Sequence, residues 1–249
     1  MKKVLVLLII SYPFVASFGL QPKWRFNLDG GMGYLLSSYS ADKKSMTDLG
    51  FDPKKVDDYY NKFNLGFQGN ADIQRMFNRN WGAGIKYSFF VTNASLFEPA
   101  YWGFTPVKVG MEETMYINYV GPSIHVRSFI DQGKSLLITS TASLGFAHYK
   151  DNSKVYGMGI SFPEYHYAPF LTNNIPINAT SSSWGLDWGV GLEYFLSPEF
   201  SLGMDMGFFY SSFNDFNIKI DNDYTFNSKD VEINVARVYV SLGLRMYLY

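Results

Sequence analysis

The chain contains no cysteine, which excludes disulfides, thiolate metal sites and a lipid anchor on an N-terminal cysteine. It has three histidines in 249 residues, so imidazole chemistry is confined to His125, His148 and His166. The formal net charge is −1, and without a basic excess there is no electrostatic footprint for nucleic acid. Long apolar runs are also missing beyond the N-terminus. Apolar residues make up 47% of the chain and aromatics 18%, yet mean hydropathy is only −0.08. These residues are dispersed, so no membrane-spanning helix is expected after the first segment. A single all-β domain is ordinary at this length.

The N-terminus does carry a short apolar run. Lys2 and Lys3 precede Val4 to Ile10, and small residues follow at Ala16, Ser17 and Gly19. This is the layout of a secretory signal peptide over residues 1–19, with the mature domain over 20–249.

What fills the rest is alternation. From Trp184 the even positions read Trp184, Leu186, Trp188, Val190, Leu192, Tyr194 and Leu196, and the odd ones Gly185, Asp187, Gly189, Gly191, Glu193 and Phe195. Successive side chains of a strand point to opposite faces, so one face is apolar and the other small or ionised. Seven further stretches behave alike, beginning near Trp24, Phe63, Trp81, Thr114, Ser135, Phe200 and Arg237. The connections run long, short, long, short, long, short, long. Short turns are expected around Asn78, Gly133 and Pro198. Long loops are expected over 37–62, 92–113, 150–183 and 214–230, the first read as hydrated because of its charges. In the fourth strand the apolar phase moves from Met115, Ile117 and Tyr119 to Ile124 and Val126, which predicts a bulge near Gly121. Strand eight sets Val238, Val240, Leu242, Leu244, Met246 and Leu248 against Arg237, Tyr239, Ser241, Gly243 and Arg245.

This pattern specifies an all-β, eight-stranded, antiparallel up-and-down transmembrane barrel, with lipid on the apolar side and a narrow polar lumen inside. A soluble barrel would reverse the faces and fill its interior with the apolar set. It would then carry repeated Gly on its wet face, whereas Gly suits a crowded lumen. Trp24, Phe77, Trp81, Phe129, Tyr194, Phe200, Tyr247 and Tyr249 are expected as the periplasmic girdle. Tyr34, Phe63, Phe89, Phe146, Trp184, Phe208 and Tyr210 are expected as the outer one.

The signal peptide, the eight strands, the three turns and the ending Tyr247-Leu248-Tyr249 resemble the small outer-membrane β-barrel superfamily that includes the OmpA transmembrane domain and OmpX. The resemblance implies a monomer in the outer membrane of a Gram-negative bacterium, surrounded by outer-membrane lipid. It also implies delivery by the barrel-assembly machinery, which recognises a terminal strand ending in an aromatic residue. Arg245 and Gly243 share the parity of Tyr247 and Tyr249, so these tyrosines are placed toward the lumen side of the rim.

The inward faces carry Arg25, Lys86, Arg127, Arg237 and Arg245 against Asp29, Asp72, Asp187, Glu193 and Asp205, and these charges balance. Asp29, Asp72, Lys86, Arg127, Glu193, Asp205 and Arg245 are expected to form a layer of ion pairs in the lumen, since confined charges must pair or stay hydrated. A structural plug is the expectation, and an ion gate is its rival. Loop aromatics Tyr101, Trp102 and Phe104, with Tyr165, His166 and Tyr167, are candidates for contact with an extracellular protein, a glycan or a small apolar ligand. Asp221-Asn222-Asp223 lacks the glycine and glutamate of a calcium loop, so no metal and no cofactor are expected. Lipid A modification, known among small barrels, would need Ser, His and a carboxylate in reach. His148 and His166, with serines 181 to 183, supply only residue types. A structural or surface-binding role is therefore expected ahead of an enzyme or a transporter of small apolar molecules.

Overall fold

The computed structural model describes residues 23–36, 40–102, 105–131, 135–157, 175–221, 224–229 and 231–249. The expected signal peptide lies outside the described residues. Among those described, ten strands form one antiparallel sheet: β1 (Trp24–Leu35), β2 (Leu65–Met76), β3 (Trp81–Trp102), β4 (Thr105–Phe129), β5 (Leu136–Tyr156), β6 (Ile175–Phe195), β7 (Phe200–Phe213), β8 (Phe216–Ile220), β9 (Tyr224–Ser228) and β10 (Ile233–Leu248). Strands β1 to β7 and β10 close into the expected eight-stranded barrel, with β1 pairing β10 from Trp24↔Leu248 to Leu35↔Arg237. Closure leaves no sheet edge at membrane depth, as a bilayer core without hydrogen-bonding solvent demands.

The two faces follow the sequence parity. Leu28, Met32, Ile73, Ile85, Ile124, Leu144, Trp188, Met206 and Leu242 point outward and are exposed. On β1 the outward apolar band runs from Trp24 to Tyr34, and on β5 it ends at Phe146, beyond which His148 and Lys150 are outward. The short turns form as read. Asn78 Oδ1 accepts hydrogen bonds from the backbone N–H of Asn80 and Trp81, both at 2.8 Å. Ser197 Oγ accepts in the same way from Glu199 and Phe200. Gly133 lies outside the described residues. Girdle assignments change at Phe63, which is buried in the core, and at Tyr247. Tyr247 is fully buried in the lumen, whereas Tyr249 stays exposed at the rim.

The expected bulge is absent. The pairing of β3 with β4 runs without interruption from Trp81↔Val126 to Trp102↔Thr105. Met115, Ile117, Tyr119, Gly121, Ser123, His125 and Arg127 therefore all face inward and are buried. The strand does not change phase; the lumen changes chemistry along its height. It is polar and ionised in its lower half and apolar above, where Phe90, Ile117, Tyr119, Phe209 and Phe213 meet.

That upper half is completed by the segment read as a hydrated loop. Residues Ser40–Asp48 form helix α1 and Pro53–Asn64 form helix α2. Asp52 caps α2, its carboxylate accepting the Lys54 N–H at 2.9 Å, and Pro53 stands in the first turn, where its missing N–H costs nothing. Val56, Tyr59, Tyr60 and Phe63 fall at the i, i+3, i+4, i+7 positions of one face and are buried in the barrel mouth. Each such side chain contributes about 1.5–3 kcal/mol when removed from water. Lys54, Lys55, Asp57 and Asp58 take the wet face, and their charges conceal the stripe. Phe63, expected to start strand two on the lipid side, instead faces the core at 4% exposure.

The other long loops shorten as well. The second is mostly continuous hairpin, because β3 and β4 stay paired to Trp102↔Thr105. The third is reduced by pairing of β5 with β6 as far as Val155↔Ile175. The fourth is largely the hairpin β8–β9, which docks through β8 on β6 from Ile177↔Ile220 to Thr180↔Asn217. The outcome is a sheet of β3, β4, β5, β6, β8 and β9 standing above the mouth.

Candidate functional site

Most charged residues of the lumen meet in one network, with Lys86 and Asp187 forming a separate group beside it. Arg25 is the hub of the network: Nη1 donates to Asp72 at 2.8 Å and Nη2 to Glu193. Glu193 also accepts from the Tyr247 hydroxyl and from Ser201, and Arg245 lies 3.6 Å from it. Arg245 pairs with Asp205 as well. Lys86 pairs with Asp187, and the Tyr239 hydroxyl bridges the two, at 3.1 Å from Lys86 and 3.0 Å from Asp187. Gly203 and Gly207 make room for this. A Cβ on Gly203 would strike the Arg245 guanidinium, and one on Gly207 the Tyr239 ring.

Five of the seven residues expected in the layer are ion-paired: Asp72, Lys86, Glu193, Asp205 and Arg245. Asp29 and Arg127 make no ion pair among the described residues. Asp29 is held by amides, accepting from Asn27 at 2.7 Å and Asn70 at 2.6 Å. Arg127 donates to the Arg79 carbonyl at 2.8 Å and lies 5.1 Å from the Tyr247 ring centroid. Arg25 and Asp187, inward by parity but left out of the expected layer, are central to it. Tyr239 and Tyr247 were legible from the same parity, but a charge count passes over hydroxyls. Arg237 stands apart, its guanidinium between the rings of Phe90 and Phe209 at 4.6 and 4.9 Å.

The space left inside the polar layer is about 20 Å³, room for roughly one water. With the apolar layer and α2 above it, the lumen is filled. Planar-bilayer recording should therefore give negligible conductance for the wild type, and the same for Arg127→Ala and Arg245→Ala. Steps opened by either variant would favour the gate over the plug.

At the mouth, Tyr59 donates to Glu113, and Lys55 pairs with Glu98 at 2.6 Å, fixing α2 to the raised β3–β4 hairpin. The Lys55 hydrogen bond holds the Glu98 carboxyl below its usual range. Burial, followed by the charge of Glu113, pushes Asp151 on β5 up to about 7. An acid raised in the folded state loses stability on ionising. The cost is absent below its unfolded value near 4, grows as pH rises, and is complete above the folded value. Amides of α1 and α2, corrected for intrinsic exchange rate, should thus be better protected at about pH 5 than at about pH 8. Asp151→Asn should raise protection at the higher pH and flatten the difference, which hydrogen–deuterium exchange would measure.

The structure brings together one histidine and serine that the sequence left apart. His148 Nδ1 lies 2.9 Å from Ser182 Oγ on the outward face, just above the apolar band. No carboxylate hydrogen-bonds this imidazole among the described residues. His125 is buried in the lumen with Nδ1 3.0 Å from Thr141 Oγ1. Of the candidate loop residues, Tyr101 and Trp102 lie on β3 but their side chains are not described. Phe104, Tyr165, His166 and Tyr167, like Asn222 and Asp223, lie outside the described residues.

A closed antiparallel barrel with an apolar belt, a polar lower lumen, short turns on the side of both termini and raised hairpins opposite defines a transmembrane β-barrel of the outer-membrane type. No family model and no curated protein matches the sequence. Among solved structures the chain is similar to Neisserial surface protein A, at 15% identity over 90% of this chain and 96% of that one, with a TM-score of 0.43. It is similar to a major outer membrane protein from Thermus thermophilus, at 13% identity over 90% and 99%, with a TM-score of 0.46. It is similar also to the outer membrane protease OmpT from Escherichia coli, at 10% identity over 93% and 99%, with a TM-score of 0.45.

Proposed function

We propose that this chain is a non-conducting outer-membrane protein of a Gram-negative bacterium that binds an extracellular protein partner through the sheet raised above its mouth. The observation carrying this reading is the edge strand. Among the described residues the raised sheet ends at β9, and Thr225, Phe226 and Asn227 there are exposed. Soluble and surface proteins blunt such edges with charge or proline unless the edge is used. An extended polypeptide adding to β9 would gain main-chain hydrogen bonds, while alternate side chains such as Phe226 set its register. The filled lumen supports the same reading, since it gives the barrel the role of a rigid pedestal.

The test is capture of purified serum and extracellular-matrix proteins by the barrel in lipid nanodiscs, with heparin as the glycan control. Phe226→Lys places a charge on the edge and should weaken capture of a bound protein by about tenfold or more, leaving barrel stability unchanged. Undiminished capture by this variant removes the edge from the mechanism, and binding of heparin alone turns the reading to a glycan.

A further inference from the structure

Between the helical cap and the opposite wall of the mouth lies an open cavity of about 730 Å³, within the range of small-molecule sites. Its walls combine three kinds of group. Met115 and Val235 are apolar and buried at its base, and Tyr60 and Tyr149 present aromatic rings. Glu113, Asp151 and Glu232 supply carboxylates, and no lysine, arginine or histidine lines the cavity among the described residues. Asp151 and Glu232 make no ion pair among the described residues and give the space a negative potential, which low-dielectric walls concentrate.

We infer that this cavity binds an organic ammonium compound with an apolar body, such as an arylalkyl amine. Four observations select that chemistry. The carboxyl of Asp151 has one oxygen satisfied by Ser153 Oγ at 3.0 Å, while the other, Oδ1, is buried with no hydrogen-bond donor. An ammonium N–H supplies the missing donor and the missing charge together. Inorganic cations fit poorly, because no group of three acidic or histidine side chains converges closely enough to hold a metal ion among the described residues. The aromatic lining suits a cation carrying hydrocarbon, since ring faces attract ammonium groups. Tyr60 already does so on the helical side, where Lys43 Nζ stands 5.7 Å from its ring centroid. The base of Met115 and Val235 then receives the apolar body, and Met accommodates varied shapes.

Access is consistent with this assignment. Glu232 is exposed just before β10, and Asp151 lies on β5 above the outward apolar band, so the acidic rim faces the extracellular side and not the membrane. The site is separate from the β9 edge, and neither assignment depends on the other.

The experiment uses the full barrel in zwitterionic nanodiscs with three soluble probes of like shape: 2-phenylethylammonium, neutral 2-phenylethanol and anionic 3-phenylpropanoate. Calorimetric titration or saturation-transfer NMR should rank the ammonium first, by about tenfold over the alcohol. Asp151→Asn and Glu232→Gln, each verified as folded by heat-dependent gel mobility, should weaken the ammonium by about fivefold and leave the alcohol unchanged. Equal binding of all three probes, absence of ammonium binding, ammonium affinity unaltered in both variants, or displacement of the ammonium by millimolar calcium would each overturn the assignment.

Discussion

Replacing Glu193 with alanine should destabilise the barrel by about 3–5 kcal/mol, the usual cost of removing one partner from a buried ion pair. Glu193 is fully buried and is shared by Arg25, Arg245, Tyr247 and Ser201. Its loss leaves the Arg25 charge compensated by Asp72 alone, and turns the Tyr247 hydroxyl toward a void. The comparison that separates charge from packing is the joint substitution of Arg25 and Glu193 by methionine. It removes both members of the pair while keeping volume, so it should recover part of the loss, with Asp72 bearing the remaining cost. Urea unfolding of the protein refolded into lipid vesicles, followed by tryptophan fluorescence, measures both. Equal stability of Glu193→Ala and wild type would mean that water substitutes freely for the carboxylate, and the plug would then be hydrated.

Phe209→Ala should cost about 3–5 kcal/mol as well, through a cavity instead of a stranded charge. Phe209 has no exposed surface, packs edge-on to Tyr119 with ring centroids 5.6 Å apart, and forms one side of the slot that holds Arg237. Surrounding strands are fixed by ladder hydrogen bonds and cannot collapse into the space. The outward control is Phe67→Ala. Phe67 is 52% exposed and leans on Phe89 at 5.7 Å. Lipid tails fill the space it vacates, so its cost should stay below about 2 kcal/mol. The same unfolding assay compares them. Similar losses at the two positions would contradict a packed upper lumen.

The barrel was legible because its outer solvent is uniform. Every strand must show hydrocarbon to the bilayer, so a period-two pattern repeats from Trp24 to Leu248 and fixes strand number, parity and turns. The lumen obeys no such rule. Met115, Ile117 and Tyr119 point into it beside Ser123, His125 and Arg127 farther down the same face, and an apolar inward run looks like a shifted outward one. Hence the bulge that the register of β3 on β4 removes. The helices escaped for a related reason. The stripe Val56, Tyr59, Tyr60 and Phe63 lies among lysines and aspartates, and only its spacing, not its composition, announces α2. The ion-pair layer was visible as a balanced set of inward charges. Which charges meet depends on cross-barrel geometry: Arg25 and Glu193 are 168 positions apart. The mouth cavity depends on six separate segments and leaves no signature in any one of them.

The position of α2 also orders events during assembly. The helix leaves the ribosome between the first two strands, yet the apolar cluster that receives it includes Phe90, Ile117, Ala147, Phe209 and Val235, drawn from β3, β4, β5, β7 and β10. Its seat does not exist until the final strand has met the first. The stripe of Tyr59 and Phe63 is therefore a lock that turns only in a finished cylinder, and its burial separates a completed molecule from a sheet still open at the seam.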